Sequence, residues 1–369
     1  MIQIDEVPAG AWTRWAPRFI KHVRDIDVWA GGALGGGRLW AYAQGRKVLT
    51  GHLWRGDGDP LEIPLPGDGL HRSPPGWSAS TKSLGFWDYR GEPGGVEFTA
   101  LNAEGEKKFR TAIPLDYPRT DSPDAYAGPG PLGQPLSLAD GGWLLSGETS
   151  GADGAGGRVF RLDGQGRLIW KAEGRALALS RTTVVVDRGF EGVAGLNREN
   201  GEERWTKTPA GAEVPGGGAD MWGFILSRGS EKGFHVYDAE TGERRFILPC
   251  MEKTDLELKG QLYFSHGAAI LYAEPLEIID IVDGQGKRRA RWRSAGRFVG
   301  FDGRGALFVT REGDWALYDA DKPEAVPAVL KNRDIPDGEL LKPFPDRLVV
   351  GDGGVAAFNA AWGRGWIFE

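Results

Sequence analysis

Residues 236–246 read V-Y-D-A-E-T-G-E-R-R-F. A short apolar run ends at Asp238, the chain turns through Thr241-Gly242, and a bulky aromatic, Phe246, returns four residues past the glycine. Val, Tyr, Thr and Phe favour a pleated, half-buried surface. Asp or Asn hydrogen-bonds the backbone just ahead of it, and Gly supplies the φ > 0 position that closes a turn. The stretch is therefore expected to be a β-hairpin whose aromatic fills a slot between neighbouring sheets.

The pattern recurs along the chain. Asn197 leads to Gly201 and Trp205, Asp163 to Gly166 and Trp170, and Asn102 to Gly105 and Phe109. Asp283 leads to Gly286, with Trp292 six residues past the glycine. A two-residue slip in a strand keeps a side chain on the same face. Tyr318-Asp319 and Phe358-Asn359 open degenerate copies. The Asp/Asn anchors at 102, 163, 197, 238, 283, 319 and 359 are separated by 61, 34, 41, 45, 36 and 40 residues. Most of these intervals approximate one four-stranded blade of a WD40-like propeller, about 40 residues. The long one contains the Pro- and Gly-rich segment 114–134 and reads as a blade plus an insertion. Upstream, 47–54 and 61–65 flank a Gly-Asp-Gly-Asp turn and form a degenerate further unit, with Leu39-Trp40-Ala41-Tyr42 as its inner strand. The expectation is an all-β fold: a single β-propeller of eight four-stranded blades over 28–369, or seven if the first unit is only a closing strand. Residues 1–27 precede it as an extension that caps the channel or supplies a ring-closing strand.

The string Asp/Asn-x-x-Thr/Asn-Gly-x-x-x-Trp resembles the tryptophan-docking repeat of the quinoprotein-like (PQQ-like) β-propellers. The resemblance covers about 38–369, with good copies at 197–205 and 238–246. That family includes quinone-dependent dehydrogenases. It also includes non-enzymatic members such as the lipoprotein scaffold of the outer-membrane barrel assembly machine. The enzymes hold quinone and Ca²⁺ over the channel, and many use a disulfide between adjacent cysteines. This chain has one cysteine, Cys250, and no residue that matches their catalytic Asp or metal ligands one-to-one. The resemblance therefore points to the non-enzymatic branch, with no cofactor.

Composition narrows the partners. The net charge is −6, with Lys and Arg interspersed among Asp and Glu, which leaves no electrostatic footprint for nucleic acid or an anionic membrane. Residues 1–29 carry Asp5 and Glu6 early and lack the apolar core of a signal peptide. With Met1 as the start, the expected compartment is the cytoplasm. The 58 glycines have no three-residue period and suit many tight turns. The 15 tryptophans suit wedges between blades.

Candidate chemistry is sparse. No two of the five histidines are spaced i,i+4, and His235 lies in an alternating strand where it packs rather than ligates. Asp163-Gly164-Gln165-Gly166 looks faintly like a Ca²⁺ loop but lacks the repeated oxygen ligands and terminal Glu, so a hairpin turn is the reading. Neither G-x-S-x-G nor a phosphate-binding loop occurs. No catalytic residue and no metal ligand is assigned. The expected function is a non-enzymatic scaffold, monomeric by itself, that presents blade-connecting loops to a protein or peptide. The alternative is an enzyme or small-molecule binder using the channel, as a quinone-dependent dehydrogenase or a hydrolase or lyase. Segment 114–134 is too long for a blade connection and is the expected recognition element, with a solvated insertion as the equal alternative. Trp77, Tyr117, Tyr126 and Trp222 are the candidate binding anchors, although blade packing is the favoured reading for Trp222.

Overall fold

A computed structural model describes the strands between Phe19–Val23 and Gly76–Ser78 by their backbone, most of 83–338, and the strands between 347 and 368. Within 83–338 the connections 91–94, 103–104, 115–132, 134, 150–155, 209–215, 219, 227–232, 250–260, 274–277 and 294 lie outside the described residues.

The strands form eight antiparallel sheets of four. In chain order these are sheet I (28–65), II (76–113), III (136–173), IV (175–207), V (216–249), VI (261–293), VII (297–330) and VIII (347–368). Sheet VIII takes its fourth, outermost strand from Phe19–Val23, which pairs antiparallel with Arg364–Phe368. The inner strand of sheet I, Val28–Gly35, packs on Arg347–Gly351 and Gly354–Asn359 of sheet VIII, so the first and last sheets meet. The fold is an all-β propeller.

Local chemistry makes the strands. Thr183–Asp187 is a β-branched run, buried from Thr183 to Val186, and Gly305–Val309 is buried throughout. β-Branched side chains pack well on a pleated surface. Core residues lie between sheets: Trp87, Phe98, Trp143 and Phe160 join II to III, while Ile279, Ile281, Phe301 and Phe308 join VI to VII. Removing this apolar area from water is the main stabilising term.

Two sequence expectations need correction. Leu39–Tyr42 lies in the second strand of its sheet, because Val28–Gly35 is innermost. The inner strands of sheets III and V are only Leu136–Ser137 and Gly216–Gly217, too short to show a period. Asn359 does not match the other anchors. It ends the second strand of its sheet, whereas Asn102, Asp163, Asn197, Asp238, Asp283 and Asp319 end or directly follow the third. The third strand of sheet VIII is the C-terminal one, so the spacing of 40 was a coincidence of two different turns.

Arg364–Phe368 pairs with Gly354–Asn359 on one side and Phe19–Val23 on the other. It also carries the buried Trp366, whose indole N–H donates to the Pro336 carbonyl at 2.8 Å. Truncation after 363 is expected to free the N-terminal strand and lower Tm by well over 5 °C, measured by thermal unfolding.

Candidate functional site

The repeated turns build one face of the ring. At Asp238, the backbone N–H donates to the Glu243 carbonyl at 2.8 Å, and the Gly242 N–H donates to the Asp238 carbonyl at 2.8 Å. The carboxylate accepts the Glu240 and Thr241 N–H groups at 2.8 and 3.0 Å, and Arg245 donates to its other oxygen. Asp163 and Asp283 accept two N–H groups each in the same way. Asn197 accepts from Glu199 and Asn102 from Glu106. These side chains satisfy turn donors that no strand partner reaches.

Each aromatic then docks on the turn of the next sheet. The Trp170 indole lies over Gly201 and donates to the Arg198 carbonyl at 2.9 Å. Trp205 lies over Gly242 and donates to the Glu240 carbonyl at 3.0 Å. Phe109 covers Gly166 and Phe246 covers Gly286. Trp292 donates to the Pro323 carbonyl at 3.1 Å in the turn of sheet VII. Gly201 and Gly242 are doubly constrained. Their φ values are 76° and 67°, and a Cβ there would sit 2.9 and 2.6 Å from the opposing indole. No other residue meets both demands.

A bulge sets the phase. In the outer strand of sheets II to VI the register slips by one residue at the same place, just before the position facing the third strand's antepenultimate corner residue. The extra residues are Lys108, Ile169, Arg204, Arg245 and Arg289. Four are cations. Lys108 donates to Ser83 Oγ at 3.0 Å, and Arg289 reaches Asp321 at 2.7 Å and the Gly303 carbonyl at 2.9 Å in sheet VII. Ile169 departs from the pattern and is 46% exposed beside Leu168.

Arg204 belongs to the densest polar junction, between sheets IV and V. It donates to Thr182 Oγ1 and, at 3.1 Å, to Thr183 Oγ1. Glu240 accepts from the Thr182 N–H at 2.9 Å, Thr182 Oγ1 at 2.5 Å and Thr183 Oγ1 at 2.8 Å. Burial opposes the Glu240 charge, but hydrogen bonds from Thr182, Ser180 and Thr183 outweigh it and hold the carboxyl at about 2. Asp163 and Asp319 are also lowered, because hydrogen bonds from Arg167 and Arg304 overcome burial. Among the described carboxyls, Asp220 is the one pushed upward. Burial is the main cause, countered by Arg245 and reinforced by Glu240 and Asp238, and its backbone has a φ of 60°.

The sequence candidates separate. Trp222 is fully buried, stacked at 4.4 Å on Tyr237 and at 5.8 Å on Trp205. It wedges sheets IV and V together and offers no surface to a partner. Trp77 lies on the strand Gly76–Ser78 rather than in a loop. Tyr117 and Tyr126 lie outside the described residues. His235 is buried and stacks on Phe224 at 5.6 Å. Among the described residues no group of three or more His, Cys, Asp or Glu converges for a metal. Nothing in the sequence marks the pair Ser265 and His266, whose Oγ lies 2.9 Å from Nδ1. The Ser265 hydroxyl donates to the Phe301 carbonyl at 2.9 Å. Its single proton is therefore committed and His266 must donate to it, the reverse of an activated nucleophile.

No protein-family model and no curated protein matches the chain. Three solved structures are similar along nearly their whole length, and all are β-propellers. BamB from Moraxella catarrhalis has 14% identity and a TM-score of 0.54 over 96% of this chain and 97% of that one. Sqt1 from Saccharomyces cerevisiae has 11% identity and a TM-score of 0.58 over 96% and 99%. The Dos1 propeller has 8% identity and a TM-score of 0.55 over 98% and 96%. At these identities the likeness carries the fold alone. No helix among the described residues is long and apolar enough to cross a membrane.

Two outcomes follow from the corners. Trp205→Ala is expected to cost about 3–5 kcal/mol in chemical unfolding, since the dock, the stack on Trp222 and one hydrogen bond are lost together. Glu240 has a folded value of about 2 against an ordinary 4.5, so its contribution is complete above about 4.5 and fades as pH falls through about 2. Unfolding curves of Glu240→Gln and wild type should differ at neutral pH and converge as the medium is acidified through that window.

Proposed function

We propose that the protein is a non-enzymatic interaction scaffold that presents the 114–134 segment and neighbouring connections to a protein or peptide partner in the cytoplasm. The observation that carries this reading is how the segment is anchored. It leaves the outer strand Lys107–Ile113 of sheet II at Pro114. At its return, the Gly133 carbonyl accepts the Trp87 indole N–H at 2.9 Å and the Gly133 N–H donates to the Ser146 carbonyl at 2.7 Å. Trp87 belongs to sheet II and Ser146 to sheet III. The segment is thus pinned across the junction of two sheets. Five prolines and two tyrosines occupy it. Fixed ends and stiff prolines reduce the ordering cost of binding, and tyrosines supply contact area with little side-chain entropy to lose.

The electrostatics support the same reading. Asp163, Glu240 and Asp319 are held as anions despite their burial by hydrogen bonds from turn and neighbouring donors, which suits rigid geometry and opposes general-acid work. The likeness to other propellers supports a platform and leaves the partner open.

Replacing 116–131 by a short Gly-Ser bridge keeps Pro114 and the Gly133 clamp. The variant is expected to unfold at the wild-type Tm and to lose the stoichiometric partner that the tagged wild-type chain retains from its native lysate. A folded variant with undiminished capture, or a wild-type chain that retains no partner, would contradict the proposal.

A further inference from the structure

The outer strand of sheet VI, Arg288–Arg293, has the sequence R-R-A-R-W-R and follows Lys287. Simple alternation would set Arg289, Arg291 and Arg293 on one face and Arg288 on the other. The bulge rearranges them. Arg288 pairs with Val282, Arg291 with Asp280 and Arg293 with Ile278. Those partners are alternate residues of one strand, so Arg288, Arg291 and Arg293 share a face. The contacts agree. Arg291 grips Asp280 with two nitrogens at 2.7 Å each, and Arg288 Nε lies 3.5 Å from the same carboxylate. Val282 packs with Phe246 and Leu248 of sheet V, so this face looks onto the rim between sheets V and VI. Trp292 points the other way, into the cluster shared with sheet VII.

Asp280 is 3% exposed, a buried carboxylate held by the guanidiniums of Arg291 and Arg288. It fixes Arg291 and steadies Arg288, and leaves the face with a surplus of positive charge on a chain whose net charge is −6. Arg293 is exposed, and no carboxylate among the described residues pairs with it. Arg245 of sheet V, paired with Asp238, reaches the turn of sheet VI beside Gly284.

We propose that this arginine ladder is a docking edge for an acidic, extended segment of a protein partner. The strand is the outermost of its sheet, and no described strand pairs with its far edge, which offers a row of backbone N–H and C=O groups for strand addition. An added strand brings alternate side chains to one face at spacings of about 6.6 Å, the spacing of Arg291 and Arg293. Carboxylates there meet pre-positioned guanidinium forks. A nucleic acid fits less well: the ladder is one short strand, and the chain's net charge repels a long polyanion. The inference is independent of the 114–134 segment and survives its removal.

The test is fluorescence anisotropy of the full chain with a short peptide of alternating Glu and Val. A Gln-Val peptide of the same length and an oligothymidylate serve as comparators. The acidic peptide is expected to bind, to weaken as salt rises, and to lose about tenfold or more in affinity in Arg288→Glu and in Arg293→Glu. Both side chains are exposed, so Tm should hold. Arg333→Glu, at a residue 84% exposed outside the ladder, should bind as wild type does. Absence of saturable binding at low salt, equal binding of the Gln-Val peptide, tighter binding of the oligonucleotide, or indifference to Arg293→Glu would each overturn the proposal. So would a fall in the Tm of Arg293→Glu, because the ladder would then serve the chain's own packing.

Discussion

An aromatic ring of one sheet resting on the glycine of the next sheet's turn is the contact on which this molecule depends. A four-stranded sheet alone has two apolar faces and no way to cover both. The docks at Trp170 on Gly201 and Trp205 on Gly242 fix where the next sheet begins. The indole N–H bonds to Arg198 and Glu240 fix its angle. A dispersion contact tolerates sliding, whereas a hydrogen bond of about 3 Å does not. The combination gives a hydrophobic interface a defined register.

Polar groups at the corners then add selectivity. Asp238 and Asp163 have their oxygens filled by turn donors and an arginine. Glu240 couples the turn of sheet V to the Thr182-Thr183 pair of sheet IV. Such junctions add modest net stability, because desolvation offsets much of the attraction. They nevertheless penalise any pairing of sheets that leaves a carboxylate unfilled. Ile169 shows the contrast. It takes the bulge position that holds a cation in four other sheets, and no charged clamp forms there.

The corners were legible in the sequence because they are local. Asp or Asn, a glycine and an aromatic within about ten residues carry the whole turn, as at 102, 163, 197, 238 and 283. What failed was non-local. Leu136–Ser137 and Gly216–Gly217 are strands only because neighbouring sheets press on them, and a Cβ at Gly217 would lie 2.4 Å from the Leu177 carbonyl oxygen. Asn359 imitates an anchor because a turn between second and third strands uses the same residue types. Trp222 and Trp205 are alike in composition, and only their stacking distinguishes a buried wedge from a dock. The shared face of Arg288, Arg291 and Arg293 was hidden by a bulge, which shifts the phase by one residue and leaves no mark in hydropathy.

The seam of the ring bears on how the protein is made. Phe19–Val23 leaves the ribosome long before its partner, Arg364–Phe368. At ordinary elongation rates the interval is on the order of tens of seconds. Throughout it the early strand has no mate, and the intervening sheets assemble as an open arc. Closure therefore waits for Arg364–Phe368 to be made. A chain stalled before Arg364 would leave Phe19–Val23 and Gly354–Asn359 without the strand that joins them, two edges open to the matching strand of a neighbouring molecule.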